Sequence, residues 1–350
     1  MIRYNLNGFS DVEIEYYSRQ MILEDVGAEG QLKLKNAKVC IVGLGGLGSL
    51  ISIQLASMGV GHLRILDRDV VEISNLQRQH LYGVDVLGYP KVEAADKRLR
   101  LLNPFIEIEP IPSALRSANA EELIRGVDVV VDGLDRMAPR YILNRMCVKL
   151  GIPYVYGAAL TNVGNVSTII PGKTACLECF QGGIDDASLP TCAVVGVNPS
   201  IINIIASIQA SEAVKIILGK KPSLAGALLF CDLTNLSFDK ITLHKAESCP
   251  ICGSKPSSKP CQPKDNPVEE ICGRDGRRVL IFTPEKDANL DMGIVNKKIE
   301  EIGFTVTVKA EMGSTFSKNM EKKGSILKSG VMILEGFDKR ELEEIRKALS

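Results

Sequence analysis

A glycine-rich segment near the start of the chain has the composition of a phosphate-binding loop. Its four glycines follow a β-branched run at 38–42 and precede an apolar pattern with helical spacing. Glycine permits a tight turn close to a phosphate, and the following helix N-terminus supplies free N–H groups. Asp67 ends the next predicted strand, where its carboxylate could accept two ribose hydroxyl groups. NAD and ATP both fit this pattern. The glycines are Gly43, Gly45, Gly46 and Gly48.

Cations downstream of these glycines favour a triphosphate over a dinucleotide. Arg78 lies in the string Ser74–Gln79 together with the neutral donor Asn75, and Lys91 opens the next predicted helix. A triphosphate carries several negative charges, which the bidentate fork of an arginine and the point charge of a lysine could neutralise. Asp135 follows a buried valine-rich strand, at the edge where open sheets bind ligands. A carboxylate at that edge suits Mg²⁺ bridging phosphate oxygens.

Two Cys-x-x-Cys pairs could form a metal site. The pairs are Cys176 with Cys179 and Cys249 with Cys252. Each pair can occupy one edge of a tetrahedron, and four thiolates are a typical ligand set for Zn²⁺. Such a set has no open position for water, so the sequence predicts a structural zinc knuckle rather than a catalytic metal.

These residues need secondary structure elements that bring them together. Strands alternate with helices from 38 to 156, which predicts an α/β fold with a Rossmann-like, doubly wound and mostly parallel sheet. After 164 the predicted strands at 165–170, 227–232 and 238–243 indicate an antiparallel extension of that sheet. A long apolar helix is predicted among them, at about 201–218.

The 350 residues suffice for one large unit and one small unit. We predict a nucleotide-binding unit with the zinc site at 1–253, a Pro/Ser/Lys-rich linker at 254–270, and a small C-terminal α/β domain at 271–350. The sequence pattern at 271–350 does not determine the role of this domain. Partner recruitment and regulation both stay open.

Composition excludes several classes of function. Lys plus Arg and Asp plus Glu both number 42, so the net charge is zero and neither nucleic acid nor an anionic membrane is an expected partner. Two long uncharged stretches, 39–61 and 187–211, contain glycine, proline and polar residues that favour buried core elements over membrane spans. The N-terminus has no apolar secretory segment, so we expect a cytoplasmic protein.

Taken together, these motifs resemble the ThiF/MoeB/HesA family of E1-like activating enzymes. The resemblance spans about residues 15–253 and depends most on the string Ser-Asn-Leu-Gln-Arg-Gln at 74–79. It also includes Tyr-Ser-Arg-Gln at 17–20, Pro-Lys-Val at 90–92 and the paired cysteines. It implies an adenylyltransferase that uses ATP and Mg²⁺ to activate the C-terminal glycine carboxylate of a small ubiquitin-like (β-grasp) protein ending in Gly-Gly. Pyrophosphate leaves, and the product serves sulfur transfer or protein conjugation.

The resemblance also implies roles for individual residues. Asp67 would hold the ribose, Asn75, Arg78 and Lys91 would contact the phosphates, and Asp135 would hold Mg²⁺. Arg19 would reach into the active site of the partner subunit in a homodimer. Cys192 falls where some members carry a cysteine that attacks the acyl-adenylate or takes part in sulfur transfer, while in other members it is dispensable.

One position departs from the family pattern. The family commonly has Thr-Asp-Asn around the metal carboxylate, whereas this chain has Leu134-Asp135-Arg136. The carboxylate is kept, but Arg136 adds a cation beside it, which puts metal affinity or partner choice in question.

Two other functions stay open at this point. One is an NAD-dependent oxidoreductase, which the glycine-rich loop alone would also fit. The other is the non-catalytic half of a heterodimeric E1, although Arg78, Lys91 and Asp135 argue for a catalytic subunit. The sequence does not determine the pathway, which could be molybdopterin, thiamine, tRNA thiolation or conjugation, and a sulfurtransferase is a candidate further partner.

Overall fold

Two β-sheets with helices packed on them make up the described part of the chain. The computed structural model describes residues 8–186, 195–257, 267–272, 278–319 and 321–349. The strands of the first sheet are β1 Lys38–Val42, β2 His62–Leu66, β3 Glu107–Ile111, β4 Val129–Asp132, β5 Tyr154–Leu160, β6 Val163–Ile169, β7 Ala227–Asp232 and β8 Ser237–Thr242. They lie side by side in the order β3-β2-β1-β4-β5-β6-β7-β8.

The first sheet is parallel at one end and antiparallel at the other. The neighbours from β3 to β5 pair in parallel, and β6, β7 and β8 extend the sheet in antiparallel pairs. This confirms the predicted α/β fold with a large, mostly parallel sheet. The strand order reverses between β1 and β4, so the loops after these two strands meet at the point where open α/β sheets bind ligands.

Eight helices accompany this sheet in the described residues. They are α1 Asp11–Met21, α2 Gly27–Asn36, α3 Gly46–Ser57, α4 Lys91–Leu102, α5 Ala120–Ile124, α6 Met137–Leu150, α7 Leu177–Gln181 and α8 Pro199–Ile217. Helix α3 begins within the glycine-rich segment and α4 begins at Lys91, so two predicted nucleotide-binding elements are helix N-termini.

Helix α8 is a core helix of the first sheet. Asn198 caps its N-terminus by accepting a hydrogen bond from the Ser200 N–H group, and Pro199 occupies its first position. Of the described helices, α8 is the one long and apolar enough to cross a membrane. Ile201, Ile205 and other side chains of α8 are instead buried in the hydrophobic core that β1, β2 and α3 share.

The second sheet is antiparallel throughout, with two helices on one face. Its strands are β9 Val268–Cys272, β10 Arg278–Phe282, β11 Thr305–Lys309, β12 Gly313–Ser317, β13 Lys323–Leu327 and β14 Met332–Glu335, and its helices are α9 Met292–Glu301 and α10 Lys339–Leu349. The strand order is β11-β12-β13-β14-β10-β9. Short turns join β11 through β14, so this unit is a small α/β domain whose sheet contains strands β9, β12 and β13 that the sequence pattern did not predict.

The two faces of the second sheet pack against different partners. Leu280 and Phe282 of β10 are buried with side chains of α9 and α10. Ile281, between them, points to the opposite face and packs with Leu327, Val331 and Val70 of the first unit. The second sheet therefore lies between its own helices and the chain that follows β2.

Strand β9 begins inside the stretch that the sequence predicted as linker. Its residues are Val-Glu-Glu-Ile-Cys, whose adjacent glutamates give no alternating apolar pattern. The boundaries 1–253, 254–270 and 271–350 stay predictions, and residues 258–266 lie outside the described part of the chain.

Candidate active site

The glycine-rich loop connects β1 to α3 and contacts the loop that follows β4. Gly43 has a φ of +89°, a conformation that other residues rarely adopt. A Cβ atom on Gly43 would lie 2.7 Å from the carbonyl oxygen of Gly133, and one on Gly48 would lie 1.8 Å from the carbonyl oxygen of Gly43. Glycine is required at Gly43 because the two loops approach so closely, and at Gly48 because the glycine-rich loop turns tightly back toward Gly43.

Asp67 lies directly after β2, and its carboxylate faces the glycine-rich loop. Its Oδ2 accepts a hydrogen bond from the Leu44 N–H group at 2.6 Å, and its Oδ1 accepts one from the Asp69 N–H group at 2.7 Å. Burial raises the pKa of Asp67, although the charge of Lys91 opposes that shift. The carboxylate is thus fixed beside the loop. Its contact with a ribose stays a prediction.

Lys91 is a buried cation at the N-terminus of α4. Its Nζ donates a hydrogen bond to Oδ2 of Asp69 at 2.9 Å, and only 4% of the residue is exposed. Burial disfavours the charge, but Asp69 and Asp67 together hold the pKa of Lys91 above its usual value. Lys91 therefore keeps its positive charge in the folded protein. It lies close to the glycine-rich loop, because it is paired with Asp69 and the neighbouring Asp67 contacts that loop.

Sequence reasoning missed Asp69 as part of this arrangement. Burial opposes its ionisation, but Lys91 and Arg68 hold the pKa of Asp69 below its usual value. The available signal was its spacing: Asp69 is two residues beyond Asp67, at the carboxyl end of the same strand. Two carboxylates at that spacing can share one lysine from a neighbouring element.

Asn75 and Arg78 are held by their own segment. Asn75 is buried at the end of a 3₁₀ turn, Ile73–Asn75, and its Oδ1 accepts a hydrogen bond from the Glu72 N–H group at 3.1 Å. Arg78 donates from Nη1 to the carbonyl oxygen of Ser74 at 2.8 Å. Their predicted contacts with phosphates stay predictions.

Gln79, the last residue of the same string, lies beside the glycine-rich loop. Its Nε2 would lie 3.9 Å from a Cβ atom on Gly45, and the residue is buried. Its Oε1 is buried with no hydrogen-bond partner in the described structure. A buried polar oxygen without a partner is rare in folded proteins and fits a position that faces a bound ligand.

Asp135 and Asp132 have opposite environments in the segment after β4. Asp132 is fully buried and accepts hydrogen bonds from the Tyr154 hydroxyl at 2.5 Å and from Arg140 Nε at 3.0 Å. Asp135 is exposed and, among the described residues, has no hydrogen bond or close ion pair. The buried pair anchors the loop, while Asp135 offers a solvated carboxylate of the kind that Mg²⁺ accepts.

The described structure tests the predicted role of neither Arg19 nor Cys192. Arg19 lies exposed in the last turn of α1, and its predicted role concerns the active site of a partner subunit. Cys192 lies outside the described residues, so its predicted role stays untested.

The four paired cysteines converge in space. Their sulfur atoms all lie within 4.8 Å of one another, with Cys176 Sγ 3.7 Å from Cys249 Sγ and Cys179 Sγ 3.4 Å from Cys252 Sγ. Thiolates bound to one tetrahedral Zn²⁺ lie about 3.8 Å apart, given a Zn–S bond of about 2.3 Å. Burial raises the pKa of Cys176 and raises the pKa of Cys252 to about 11, whereas the N–H groups of Cys252 and Ile251, against the effect of burial, lower the pKa of Cys249. The cluster fits zinc in residue type, number and spacing.

The fold and the site together are those of a nucleotide-binding α/β protein. Comparison with known proteins identifies its family. The sequence profile of the ThiF family matches residues 17–251. The chain belongs to the ThiF family, as its motifs predicted.

Curated relatives of similar sequence are adenylating enzymes. The chain is 40% identical to the sulfur carrier protein adenylyltransferase of Thermus thermophilus over 253 residues, which cover 71% of this chain and 93% of that protein. It is 39% identical to the SAMP-activating enzyme E1 of Haloferax volcanii over 242 residues, which cover 69% of this chain and 89% of that protein. These matches confirm the predicted enzyme class, an E1-like adenylyltransferase.

A solved structure supports the same assignment of the fold. The crystal structure of E. coli MccB with MccA-N7isoASN superimposes with a TM-score of 0.62 at 26% identity, covering 69% of this chain and 76% of that chain.

Proposed function

We propose that this protein uses ATP to adenylate the C-terminal glycine carboxylate of a small ubiquitin-like sulfur-carrier protein, with release of pyrophosphate. The observation that carries the proposal is the buried Lys91, which donates a hydrogen bond to Asp69 and lies near the charge of Asp67, the carboxylate that contacts the glycine-rich loop. A dehydrogenase has no need for a buried cation at this place, and a non-catalytic E1 subunit has no need to maintain one.

The reaction requires charges to be neutralised more than it requires covalent help. A carboxylate oxygen of the carrier attacks the α-phosphorus, and the bond from that phosphorus to the oxygen bridging to the β-phosphate breaks. The attack brings two anions together, so fixed cations and alignment supply most of the acceleration. Lys91 and Arg78 are the cations that we assign to the phosphates, and Asp67 is the carboxylate that we assign to the ribose.

Mg²⁺ fits one residue of the site. Asp135 would hold it, because this carboxylate is exposed at the edge of the sheet and makes no competing close contact among the described residues. When bound, the ion neutralises phosphate oxygens and so favours departure of pyrophosphate.

Zinc is proposed in a separate, structural role. Cys176, Cys179, Cys249 and Cys252 would hold it, and a set of four thiolates leaves no position for a substrate. The site would fasten α7 and its N-cap residue to the segment that follows β8.

The partners and the location follow from the family and stay proposals. The carrier ends in Gly-Gly, the enzyme is a homodimer in which Arg19 completes the other subunit's site, and a sulfurtransferase is a further partner. Cys192 would act after adenylation, in thioester formation or sulfur transfer. We expect the protein in the cytoplasm.

ATP–pyrophosphate exchange tests the proposal directly. The purified chain is incubated with labelled pyrophosphate, ATP, Mg²⁺ and a small carrier protein that ends in Gly-Gly. Exchange should require the carrier and disappear when its final glycine is deleted. Absence of exchange with every such carrier, or tighter binding of NAD than of ATP by titration calorimetry, would overturn the assignment.

A further inference from the structure

A glutamate of the second sheet lies between two arginines at the rim of the candidate active site. Arg68 makes a bidentate contact with Glu269, with Nη1 2.7 Å from Oε1 and Nη2 3.2 Å from Oε2. Arg136 donates from Nη1 to Oε2 of the same carboxylate. The three side chains are mostly buried, with 24%, 21% and 39% of Arg68, Glu269 and Arg136 exposed. We call these three residues the Glu269 network.

The register of β9 explains why Glu269 faces the first unit. In the antiparallel pair, Glu269 lies opposite Ile281, whose side chain packs with Val70. Glu270, the next residue, points to the other face, where it forms ion pairs with Arg278 and with Lys339 of α10. Two adjacent glutamates of one strand therefore have different surroundings, and only Glu269 faces the nucleotide side.

Both arginines adjoin carboxylates that we assign to the site. Arg68 separates Asp67 from Asp69, and Arg136 directly follows Asp135. Arg136 Nε lies 3.9 Å from Asp186, whose carboxylate accepts hydrogen bonds from the N–H groups that begin α6. If Arg136 were released from Glu269, the exposed carboxylate nearest to it along the chain would be Asp135.

We propose that Glu269 is a positioning residue for adenylation, which holds Arg136 away from Asp135 and so keeps that carboxylate available to the nucleotide-bound cation. The inference builds on the proposed function and assigns the C-terminal unit a part in it. It also accounts for Arg136 at a position where the family commonly has asparagine: the extra cation is matched by an extra carboxylate from the second sheet. Without Glu269, both guanidinium groups lose a partner of opposite charge, and Arg136 competes with the cation for Asp135.

Glu269→Gln tests the proposal, with Glu270→Gln as the matched control on the opposite face of the same strand. Binding of ATP is measured by titration calorimetry over a range of Mg²⁺ concentrations, without carrier, so the readout does not depend on turnover. In Glu269→Gln, the Mg²⁺ concentration for half-maximal ATP binding should rise about tenfold. In Glu270→Gln it should stay at the wild-type value. An unchanged Mg²⁺ requirement in a folded Glu269→Gln protein would overturn the proposal.

Arg136→Asn separates competition for Asp135 from a general loss of folding. The double variant Glu269→Gln/Arg136→Asn should return to within about threefold of the wild-type Mg²⁺ requirement, because the competing cation is gone. Arg136→Asn alone should bind MgATP as the wild type does, and a large loss in that variant would mean that Arg136 itself binds nucleotide, which contradicts the proposal. Thermal unfolding of each variant checks that it is folded. If the wild type binds MgATP but shows no exchange with any carrier, the proposed function fails while this inference still stands on the binding data.

Discussion

At the scale of single residues, the candidate site depends on charges that are buried with their partners. Lys91 is buried away from solvent, so the charges of Asp69 and Asp67 stabilise its ammonium group. A fixed, pre-oriented cation of this kind costs no reorganisation when a phosphate binds, which is the main way in which proteins accelerate phosphoryl and nucleotidyl transfer.

Replacing Lys91 by alanine should abolish exchange and also weaken the fold. We expect ATP–pyrophosphate exchange to fall by about 100-fold or more. Loss of the ammonium group leaves Asp67 and Asp69 as neighbouring buried carboxylates with only Arg68 as a cation near Asp69, so the melting temperature should fall as well. Lys97→Ala is the control, because Lys97 lies on the same helix with its side chain 55% exposed. Exchange near the wild-type rate in Lys91→Ala would remove this residue from the mechanism.

The two aspartates of the segment after β4 should give opposite phenotypes. Asp135→Asn should lower exchange by about 100-fold without changing the melting temperature, because the side chain is exposed. Asp132→Asn should lower the melting temperature by several degrees, since it leaves Arg140 buried without its counter-charge. Calorimetry and exchange on both variants check the pair. An Asp135→Asn protein that unfolds early, or that exchanges normally, contradicts the assignment.

At the scale of elements, the sequence predicted best those strands whose residues carry an apolar, β-branched pattern. The run at 38–42 and the run at 227–232 coincide with β1 and β7. Strand β3 was missed because its sequence, Glu-Ile-Glu-Pro-Ile, contains two glutamates and a proline. Strands β12 and β13 were missed because serine, glycine and lysine interrupt their patterns. Tertiary packing, not local propensity, makes these segments strands.

Sequence spacing also predicted the cysteine cluster better than the charged contacts. Each Cys-x-x-Cys pair can be recognised from its local spacing, and a zinc site with four thiolate ligands requires both pairs. The sequence alone therefore indicates that the two pairs lie together. The contacts of Glu269 with Arg68 and Arg136 cross 201 and 133 positions of the chain, and nothing in a single sequence marks such distant partners. Gln79 was quoted as part of a motif, but its unpartnered oxygen required the three-dimensional structure.

The zinc proposal predicts a stability effect without a direct catalytic effect. One zinc per chain should be found by elemental analysis, and Cys249→Ser should lose it and lower the melting temperature. Cys231→Ala is the control, because Cys231 is buried in the sheet outside the cluster. That variant should keep the metal while losing some stability through its small cavity. Full zinc content in Cys249→Ser would refute the four-cysteine site.

At the scale of the whole molecule, the two sheets are joined where the candidate site is built. Besides the Glu269 network, the Met312 N–H group donates to Glu93 at 2.8 Å, and Asp287 accepts from Ser113 at 2.6 Å. Each of these contacts lands on a segment that follows a strand of the first sheet or belongs to α4. The C-terminal unit is therefore in a position to influence the nucleotide side of the first unit.

Lowering the pH should weaken the contact between the two sheets, because protonation of Glu269 removes its ion pairs. Burial opposes ionisation, but Arg68 and Arg136 hold the pKa of Glu269 below its usual value. The ion pairs therefore stabilise the folded state fully above the pKa of an unfolded glutamate, about 4.3, and lose that contribution as the pH falls through the lower folded-state pKa.

Hydrogen exchange of β9 between about pH 5 and pH 3 measures this effect. Protection of β9 should fall with pH in the wild type and in Glu270→Gln. In Glu269→Gln, protection of β9 should already be low at about pH 5 and should change less with pH than in the wild type. Equal pH dependence in all three proteins would show that Glu269 does not link the two sheets.

The contact of Gly43 with Gly48 and Gly133 has a consequence for how this protein can change over time. Each of these positions lies so near a backbone carbonyl that a single methyl group would collide with it. The close approach of the loops after β1 and β4 therefore depends on the absence of side chains at these three positions. Substitutions elsewhere in the chain can leave this turn intact, but a side chain at any of these three positions would force the backbone of the turn to move.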